Sequence, residues 1–232
     1  MAEVLHALSQ RMHFLSVLRG RNYRNYYFGH LISVGGHQMI IATQSWLIYH
    51  LTGSPLALGL VSGAQAVPSI ILNFYAGALA DRANMRYIVV AAETAAALFT
   101  GILGLLVITG IVEVWHIAVI AVFTGIALSF DEPARRALWP HLVERNQYMY
   151  AVSLNSTIWS STRIVAPGIA GFIIAAGEKV TGEVTVGAGV SYLFAFAGFL
   201  VMALVVGTLQ LPLVKRSTGA TVFHDILEGL LF

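Results

Sequence analysis

The sequence predicts an all-α membrane protein with six transmembrane helices. Of the 232 residues, 57% are hydrophobic and only 10% are charged, and the mean hydropathy is +0.77. Water-soluble domains carry about 25% charged residues, so this composition excludes a soluble fold. The apolar residues form six runs, and one helical crossing of the bilayer core takes about 20 such residues. These runs are residues 27–51, 56–80, 87–110, 114–130, 153–177 and 186–211.

The distribution of basic residues sets the expected topology. Eleven of the 13 lysines and arginines lie before the first run, after the sixth, or in the connections that follow the second and fourth. Lys179 lies in the opposite set of connections, and Arg163 lies inside the fifth run. Because short cytoplasmic segments are enriched in Lys and Arg, we expect a multi-pass protein of the cell (inner) membrane with both termini in the cytoplasm. The basic residues are dispersed, which argues against nucleic acid as a partner.

The connection between the first two runs has the features of a tight turn between helices. Gly53 can close the first helix, Ser54 can cap the second, and Pro55 suits its first turn. The sequence therefore predicts that the first two helices form a close antiparallel pair. Gly59 and Gly63, four residues apart in the second run, predict a face on which another helix approaches closely.

Three of the runs carry polar residues at helical spacing. In the first run, His30, His37 and Gln44 recur every seven residues and share one helix face. The second and fifth runs carry comparable stripes, whereas the third and sixth are plainer, so we expect the three striped helices to line a hydrated cavity. The alternative is hydrogen bonding between packed helices, and for His37 the alternatives are packing and a role toward substrate or protons. The predicted cavity residues are His37, Gln44, Gln65, Ser69, Asn73, Ser156 and Ser160.

Charged residues inside the apolar runs are candidates for proton coupling. Arg163 lies deep in the fifth run, and Pro167, four residues later, cannot donate a hydrogen bond to its carbonyl. An arginine at this depth requires a counter-charge or water, and the candidate partners are Glu93 in the third run and Asp131 at the end of the fourth. We therefore predict proton coupling through Glu93, Asp131 and Arg163. In the alternative, Arg163 is structural and Glu93 is solvated near the membrane surface.

Residues 77–86 resemble the loop signature of the major facilitator superfamily. The segment reads Gly-Ala-Leu-Ala-Asp-Arg-Ala-Asn-Met-Arg, with Asn84 and Met85 in place of the usual Gly and Arg. Together with four further segments in the right order, it resembles the branch that contains the enterobactin exporter and related multidrug efflux proteins. The further segments are residues 46–55, 130–135, 155–156 and 163–167.

The resemblance implies one half of a larger fold. Members have twelve helices in two six-helix halves, each half a 3+3 inverted repeat, and they move substrate by alternating access. By resemblance, residues 27–211 form the N-terminal half-bundle, residues 1–26 a cytoplasmic segment, and residues 212–232 the start of the cytoplasmic linker between halves. A complete substrate site needs both halves, so we expect this chain to be a fragment, a split subunit or a six-helix protein that pairs with itself.

The resemblance also implies roles for two groups of residues. Asp81 would dock against a helix of the second half and latch the cytoplasmic gate, with its neighbours supporting the loop. The gating-loop residues are Gly77, Asp81, Arg82 and Arg86. Residues 163–167 resemble the fifth-helix signature of antiporters, although Ala166 replaces its usual Gly. The residues expected to kink and pack this helix are Pro167, Gly168 and Gly171.

The predicted function is that of the N-terminal half of a secondary-active, proton-coupled efflux transporter for a small amphipathic or siderophore-like molecule. Its expected partners are the lipid bilayer, the substrate, protons and a second six-helix half. The alternative is a non-transporting six-helix membrane subunit that acts by pairing with a second half. The chain has no cysteine and no sequence motif of a metal site, a phosphate-binding loop or an intramembrane protease. We therefore expect no enzymatic activity, cofactor or metal.

Overall fold

Six long α-helices build the structure, and the described residues contain no β-strand. The structure is a computed structural model that describes residues 16–82 and 84–209, without the side chains of residues 73–75 and 77–82. Residues 1–15 of the predicted N-terminal segment and the predicted linker lie outside the described residues. The predicted all-α class with six helices is confirmed. The helices are α1 (Arg21–Thr52), α2 (Pro55–Arg82), α3 (Met85–Ile108), α4 (Val114–Leu138), α5 (Tyr148–Thr181) and α6 (Val184–Thr208).

Helix α1 differs from the others in its polarity. Within the described residues, five helical segments are long and apolar enough to cross a membrane, and α1 is not one of them. It has 32 residues, which is ample length, but it carries His30, Ser33, Gln38 and Gln44. All four side chains are buried against other helices. These four polar residues of α1 therefore face protein instead of lipid.

The turn between α1 and α2 has the predicted form, but the two helices do not pair closely. Gly53 adopts a left-handed conformation with φ of +62°, and its N–H donates to the Tyr49 carbonyl at 2.8 Å. Ser54 Oγ accepts a hydrogen bond from the Ala57 N–H at 3.4 Å. However, α1 packs mainly along α5 and α6, and α2 packs along α4. The predicted pair is wrong because a tight turn reverses the chain without fixing which neighbour the second helix contacts.

Helix α6 is the central packing element of the bundle. It packs against α1, α3 and α5, and 11 of its 25 residues are buried. A Cβ atom at Gly187 would lie 2.6 Å from the Cα and the carbonyl oxygen of Ile174 in α5, so this contact requires glycine. By contrast, no described atom lies within 4 Å of a Cβ atom placed at Gly59 or Gly63. The predicted close packing at these α2 positions is therefore wrong within the described bundle.

Helix α4 continues past its predicted end at residue 130 to Leu138. Pro133 lies inside the helix, where it leaves the Ser129 carbonyl without its helical hydrogen bond. The extension places Asp131 and Arg135 one turn apart on the same inward face, and both are buried. The predicted helix end is wrong because these charges form an ion pair inside the bundle.

Candidate functional site

A buried ionic network joins α3 and α4 in the interior of the bundle. Glu93 of α3 and Asp131 of α4 have side-chain exposures of 0%, and Arg135 of α4 has 10%. Arg135 donates through Nη2 to Asp131 Oδ2, and its Nη1 lies 3.4 Å from Glu93 Oε1. A single guanidinium therefore contacts two buried carboxyl groups from different helices.

Helix α1 completes this network with two neutral groups. The Ser33 hydroxyl donates to both carboxyl oxygens of Glu93, at 2.9 and 3.2 Å. Arg135 Nη1 lies 2.8 Å from His30 Nδ1, and the His30 ring stacks on Tyr26 with a centroid distance of 5.5 Å. Because arginine only donates hydrogen bonds, His30 Nδ1 must accept, and the imidazole is therefore neutral.

The network holds one more acidic group than basic groups. With Glu93 and Asp131 both ionised, one arginine leaves a net charge of −1 in the bundle interior. Such an excess charge is costly in a membrane protein, and one proton on either carboxyl removes it. In addition, Asp131 Oδ1 is enclosed and has no hydrogen-bond partner among the described residues. The arrangement is thus suited to bind and release one proton.

An open recess of about 320 Å³ lies beside the network, between α1, α4 and α5. Its aromatic walls include Trp139 and Trp159, and Arg135 and Glu132 also line it. Asn155 lines it as well, and both polar atoms of its amide are enclosed without a partner in the described part of the chain. The volume is in the range of small-molecule sites, which also combine apolar walls with a few polar groups.

The polar stripes of α1 and α2 meet inside the bundle. His37, Gln44 and Gln65 line one small internal cavity, so the structure brings these three predicted residues together. Ser69 instead makes helix contacts, since its Oγ donates to the Gln65 carbonyl at 3.0 Å and to the Gly125 carbonyl of α4 at 3.4 Å. The side chain of Asn73 lies outside the described set.

The predicted stripe of α5 is largely exposed. Ser156 lines the open recess, whereas Ser160 and Arg163 lie on the exposed surface. Arg163 forms no hydrogen bond or ion pair with any other residue that the structure describes. The predicted pairing of Arg163 with the two buried carboxyl groups is therefore wrong, because Arg135 occupies that position.

The residues expected to shape α5 lie on or near the same surface. The helix is continuous through Pro167, which is half-buried. Gly168 and Gly171 are exposed, and no described atom lies within 4 Å of a Cβ atom placed at either. The described helices make no close contact at these two glycines. Packing of the glycines against other helices stays a prediction.

Arg135 is the residue of the candidate site that the sequence reasoning missed. The sequence does contain a signal, since Asp131 and Arg135 have the i,i+4 spacing at which helical side chains pair. Glu132 and Arg136 have the same spacing, one residue later, and they lie on the surface with Nη2 and Oε1 2.5 Å apart. Spacing alone thus gives two equivalent pairs and does not show which of them faces inward.

The predicted gating loop is mostly helical. Gly77, Asp81 and Arg82 belong to the last turns of α2, and their side-chain surroundings lie outside the described set. Arg86 lies in the first turn of α3 and donates through Nη2 to the carbonyl of Gly207 in the last turn of α6. It therefore ties the beginning of α3 to the end of α6. Asn84, which departs from the loop signature, caps α3 by accepting from the Arg86 N–H at 3.1 Å.

Comparison with known proteins gives one family match and several relatives. A major facilitator superfamily model described as transmembrane secretion effector matches residues 13–225. The chain is 29% identical to the Staphyloferrin A transporter of Staphylococcus aureus over 132 residues, which are 56% of this chain and 33% of that protein. It is 25% identical to the multidrug efflux pump Tap of Mycolicibacterium fortuitum over 210 residues, which are 88% of this chain and 49% of that protein.

A further relative is macrolide efflux protein A of Streptococcus pyogenes, with 25% identity over 138 residues, which are 58% of this chain and 34% of that protein. The chain thus spans about half the length, or less, of the curated relatives it matches. No solved structure matches the chain significantly.

Proposed function

Because the chain belongs to the transmembrane secretion effector family of the major facilitator superfamily, we propose that it forms six helices of a proton-coupled efflux transporter for a small amphipathic molecule. The observation that carries the proposal is the buried network of Glu93, Asp131 and Arg135 beside an open recess. The relatives named as a multidrug efflux pump and a macrolide efflux protein support export as the direction. Transport leaves the substrate chemically unchanged, so no residue receives a catalytic role.

Arg135 provides the link between substrate and protons in this proposal. It contacts both buried carboxyl groups and also lines the recess. A substrate that draws the guanidinium toward the recess weakens its contacts with Glu93 and Asp131. The carboxyl groups then hold a proton more tightly, because the nearby positive charge has moved away. Substrate release reverses the change, and proton movement is thereby tied to substrate movement.

The proposed transporter includes a second set of six helices. Helices α2 and α5 have few buried residues, and α5 exposes large apolar side chains such as Ile164 and Phe172. Ser160 and Arg163 of α5 are also exposed and lie without a described partner. A second half, whether covalently linked, a separate subunit or a second copy, would cover these exposed faces and complete the substrate site.

We retain two proposals for parts that the structure leaves undescribed. Asp81 would latch the gate against the second half, with Gly77 and Arg82 shaping the end of α2 and Arg86 holding the start of α3. Residues 1–26 and 212–232 would lie in the cytoplasm, with the bundle in the cell membrane between them. Both proposals rest on the loop signature and on the positive-inside rule.

Proton coupling can be tested in everted membrane vesicles from cells that produce the chain. Respiration acidifies the vesicle lumen, and a pH-sensitive dye reports the loss of this gradient when a macrolide or a lipophilic cation is added. We expect substrate to dissipate the gradient in the wild type, and Asp131→Asn to reduce this response at least tenfold because the amide binds no proton. The matched control is Glu144→Gln, since Glu144 is an exposed carboxyl residue that lines neither the recess nor the internal cavity.

The expected pattern is a normal response from the control and none from Asp131→Asn. Substrate uptake that persists after the gradient is collapsed would contradict proton coupling. Equal activity in wild type and Asp131→Asn would contradict the role of the network. If the chain binds a second half but no probe moves protons in any form, the alternative of a non-transporting subunit is favoured, to which the exposed faces of α2 and α5 also point.

A further inference from the structure

Two cavities share His37, in the middle of α1, in their linings. The first, of about 70 Å³, is bounded by the ionic network and includes Ser33, Asp131 and Arg135 in its lining. The second, of about 10 Å³, is bounded by polar groups of four other helices. Its polar lining, besides His37, comprises Gln44, Gln65, Thr100, Thr124 and Tyr192. His37 is the residue that the two linings share.

Polar atoms without a partner lie along this route. Asp131 Oδ1 in the first cavity, His37 Nδ1 between the two, and Tyr192 Oη in the second are all enclosed and lack a hydrogen-bond partner among the described residues. Buried polar groups in proteins are paired with protein or with ordered water. The first cavity has room for more than one water, and the second for about one. Water in both cavities would satisfy these three atoms.

Apart from Glu132, whose side chain is 49% exposed, the remaining walls of the cavities are apolar. Val34, Leu128 and Phe199 line the first, and Ile40, Leu103 and Ile120 line the second. The one polar side chain that both cavities share, and past which a proton would move between them, is therefore the imidazole of His37. Histidine suits this position, because one ring nitrogen accepts a proton while the other releases one.

The charged and titratable groups around His37 come from several helices. On α4, Asp131, Glu132 and Arg135 line the first cavity, and on α6, Tyr192 lines the second. Glu93 of α3 joins the first cavity through Ser33. The acidic groups thus lie on one side of His37, and uncharged polar groups lie on the other.

We propose that His37 relays protons between the Glu93–Asp131 pair and the cavity at Gln44 and Gln65. Water in one cavity gives a proton to one ring nitrogen, and the imidazolium gives the proton on its other nitrogen to water in the second cavity. Rotation of the side chain then turns the unprotonated nitrogen back toward the first cavity, so each cycle moves one proton and consumes none. The inference rests on the proposed function, since it supplies the path by which the buried carboxyl groups exchange protons.

Hydration of the route is tested on the purified full chain by X-ray hydroxyl-radical labelling, which modifies buried side chains next to bound water. The matched pair is Tyr192 and Tyr23, both with 0% exposure. Tyr23 hydrogen-bonds to the Ala151 carbonyl at 3.3 Å and lines neither internal cavity. We expect at least threefold more labelling of Tyr192 than of Tyr23. Equal labelling would show a dry second cavity and overturn the relay.

The role of His37 itself is tested by the vesicle proton assay with His37→Phe and His37→Gln. Phenylalanine keeps the ring shape without the nitrogens, and glutamine holds water without carrying a proton. We expect both to reduce substrate-driven proton movement at least tenfold. The control is His50→Phe, because His50 lies on the same helix but is exposed and stacks on Trp46 at 4.9 Å.

Each outcome separates the relay from the proposed function. Loss of coupling in both His37 variants, with a folded protein and an intact control, supports the relay. Full coupling in His37→Gln would overturn it, because ordered water alone would then suffice. If wild-type vesicles move no protons with any probe, both the proposed function and the relay are overturned. If the wild type moves protons with substrate and His37→Gln does so equally, only the relay is overturned.

Discussion

At the scale of single residues, two adjacent arginines of α4 show how side-chain direction decides the role of a charge. Arg135 is almost fully buried and contacts two carboxyl groups, whereas the side chain of Arg136 is 76% exposed and pairs with Glu132. Removing one partner of a buried ion pair leaves an uncompensated charge, which costs about 3–5 kcal/mol. Breaking an exposed pair costs about 0–1 kcal/mol. Because Arg135 and Arg136 carry the same charge on the same helix, comparing their variants isolates the effect of burial.

We expect Arg135→Ala to destabilise the purified chain by about 3–5 kcal/mol and Arg136→Ala by less than about 1 kcal/mol. The free energy of unfolding is measured in detergent by denaturant titration, followed by tryptophan fluorescence. A triple variant, Arg135→Ala with Glu93→Gln and Asp131→Asn, should recover part of the loss because it removes the unpaired charges. Equal destabilisation by the two single variants would contradict the buried network.

The candidate site could be predicted from the sequence only in part, as Glu93, Asp131 and Arg163 show. Glu93 and Asp131 stand out because carboxyl groups are rare in apolar runs, and both belong to the network. Arg163 stands out equally, yet its side chain is exposed. Position along a run measures depth in the membrane, whereas the direction of a side chain depends on which helices pack around it. Only the packing shows that Arg135 faces the two carboxyl groups.

At the scale of helices, hydropathy predicts that a helix is present better than it predicts where the helix ends or which helices it contacts. Each apolar run became one helix, but α4 extends through charged residues to Leu138, and α2 includes Arg82. Hydropathy marks a helix end where charge begins, and these charged segments remain helical. The pairing of α2 with α4 was missed because α1 precedes α2 along the chain, and turn chemistry reports only sequence neighbours. Glycines in α6, not those in α2, provide a close contact.

We expect Gly187→Ala to destabilise the bundle, because the added methyl would overlap backbone atoms of Ile174. Overpacking of this kind costs about 1–3 kcal/mol. The matched control is Gly171→Ala on α5, where no described atom lies within 4 Å of the new methyl. The thermal unfolding temperature of the two variants in detergent gives the comparison. An unchanged temperature for Gly187→Ala would show that α5 and α6 separate at little cost.

At the scale of the whole molecule, burial is distributed unevenly. Helix α6 is shielded by three neighbours, whereas α2 and α5 leave large apolar side chains uncovered. Some of this surface faces lipid, but the exposed polar residues of α5, including Arg163, are poorly suited to lipid. Under the proposed function, a second set of helices would cover this surface and complete the recess that α5 helps to line.

We expect the transport-competent species to have at least twice the 25.0 kDa mass of the chain. Light scattering corrected for bound detergent measures the protein mass. Phe172→Ala on α5 should weaken the association by removing an interface side chain, whereas Leu98→Ala on α3 should not. Both residues are exposed, at 75% and 59%. A species of 25.0 kDa that transports substrate in vesicles would contradict the need for a second half.

The polarity of α1 has a consequence for how the protein is made. Of the six described helices, α1 is synthesised first, whereas α5 and α6, two of the helices that pack on it, are the last two of the six to be synthesised. Until they arrive, His30, Ser33 and Gln38 have incomplete protein cover, and lipid alone holds a helix of this composition poorly. Stable insertion of the first helix is therefore a late event in biogenesis, and a nascent chain truncated before α6 would leave α1 without a secure place in the bilayer.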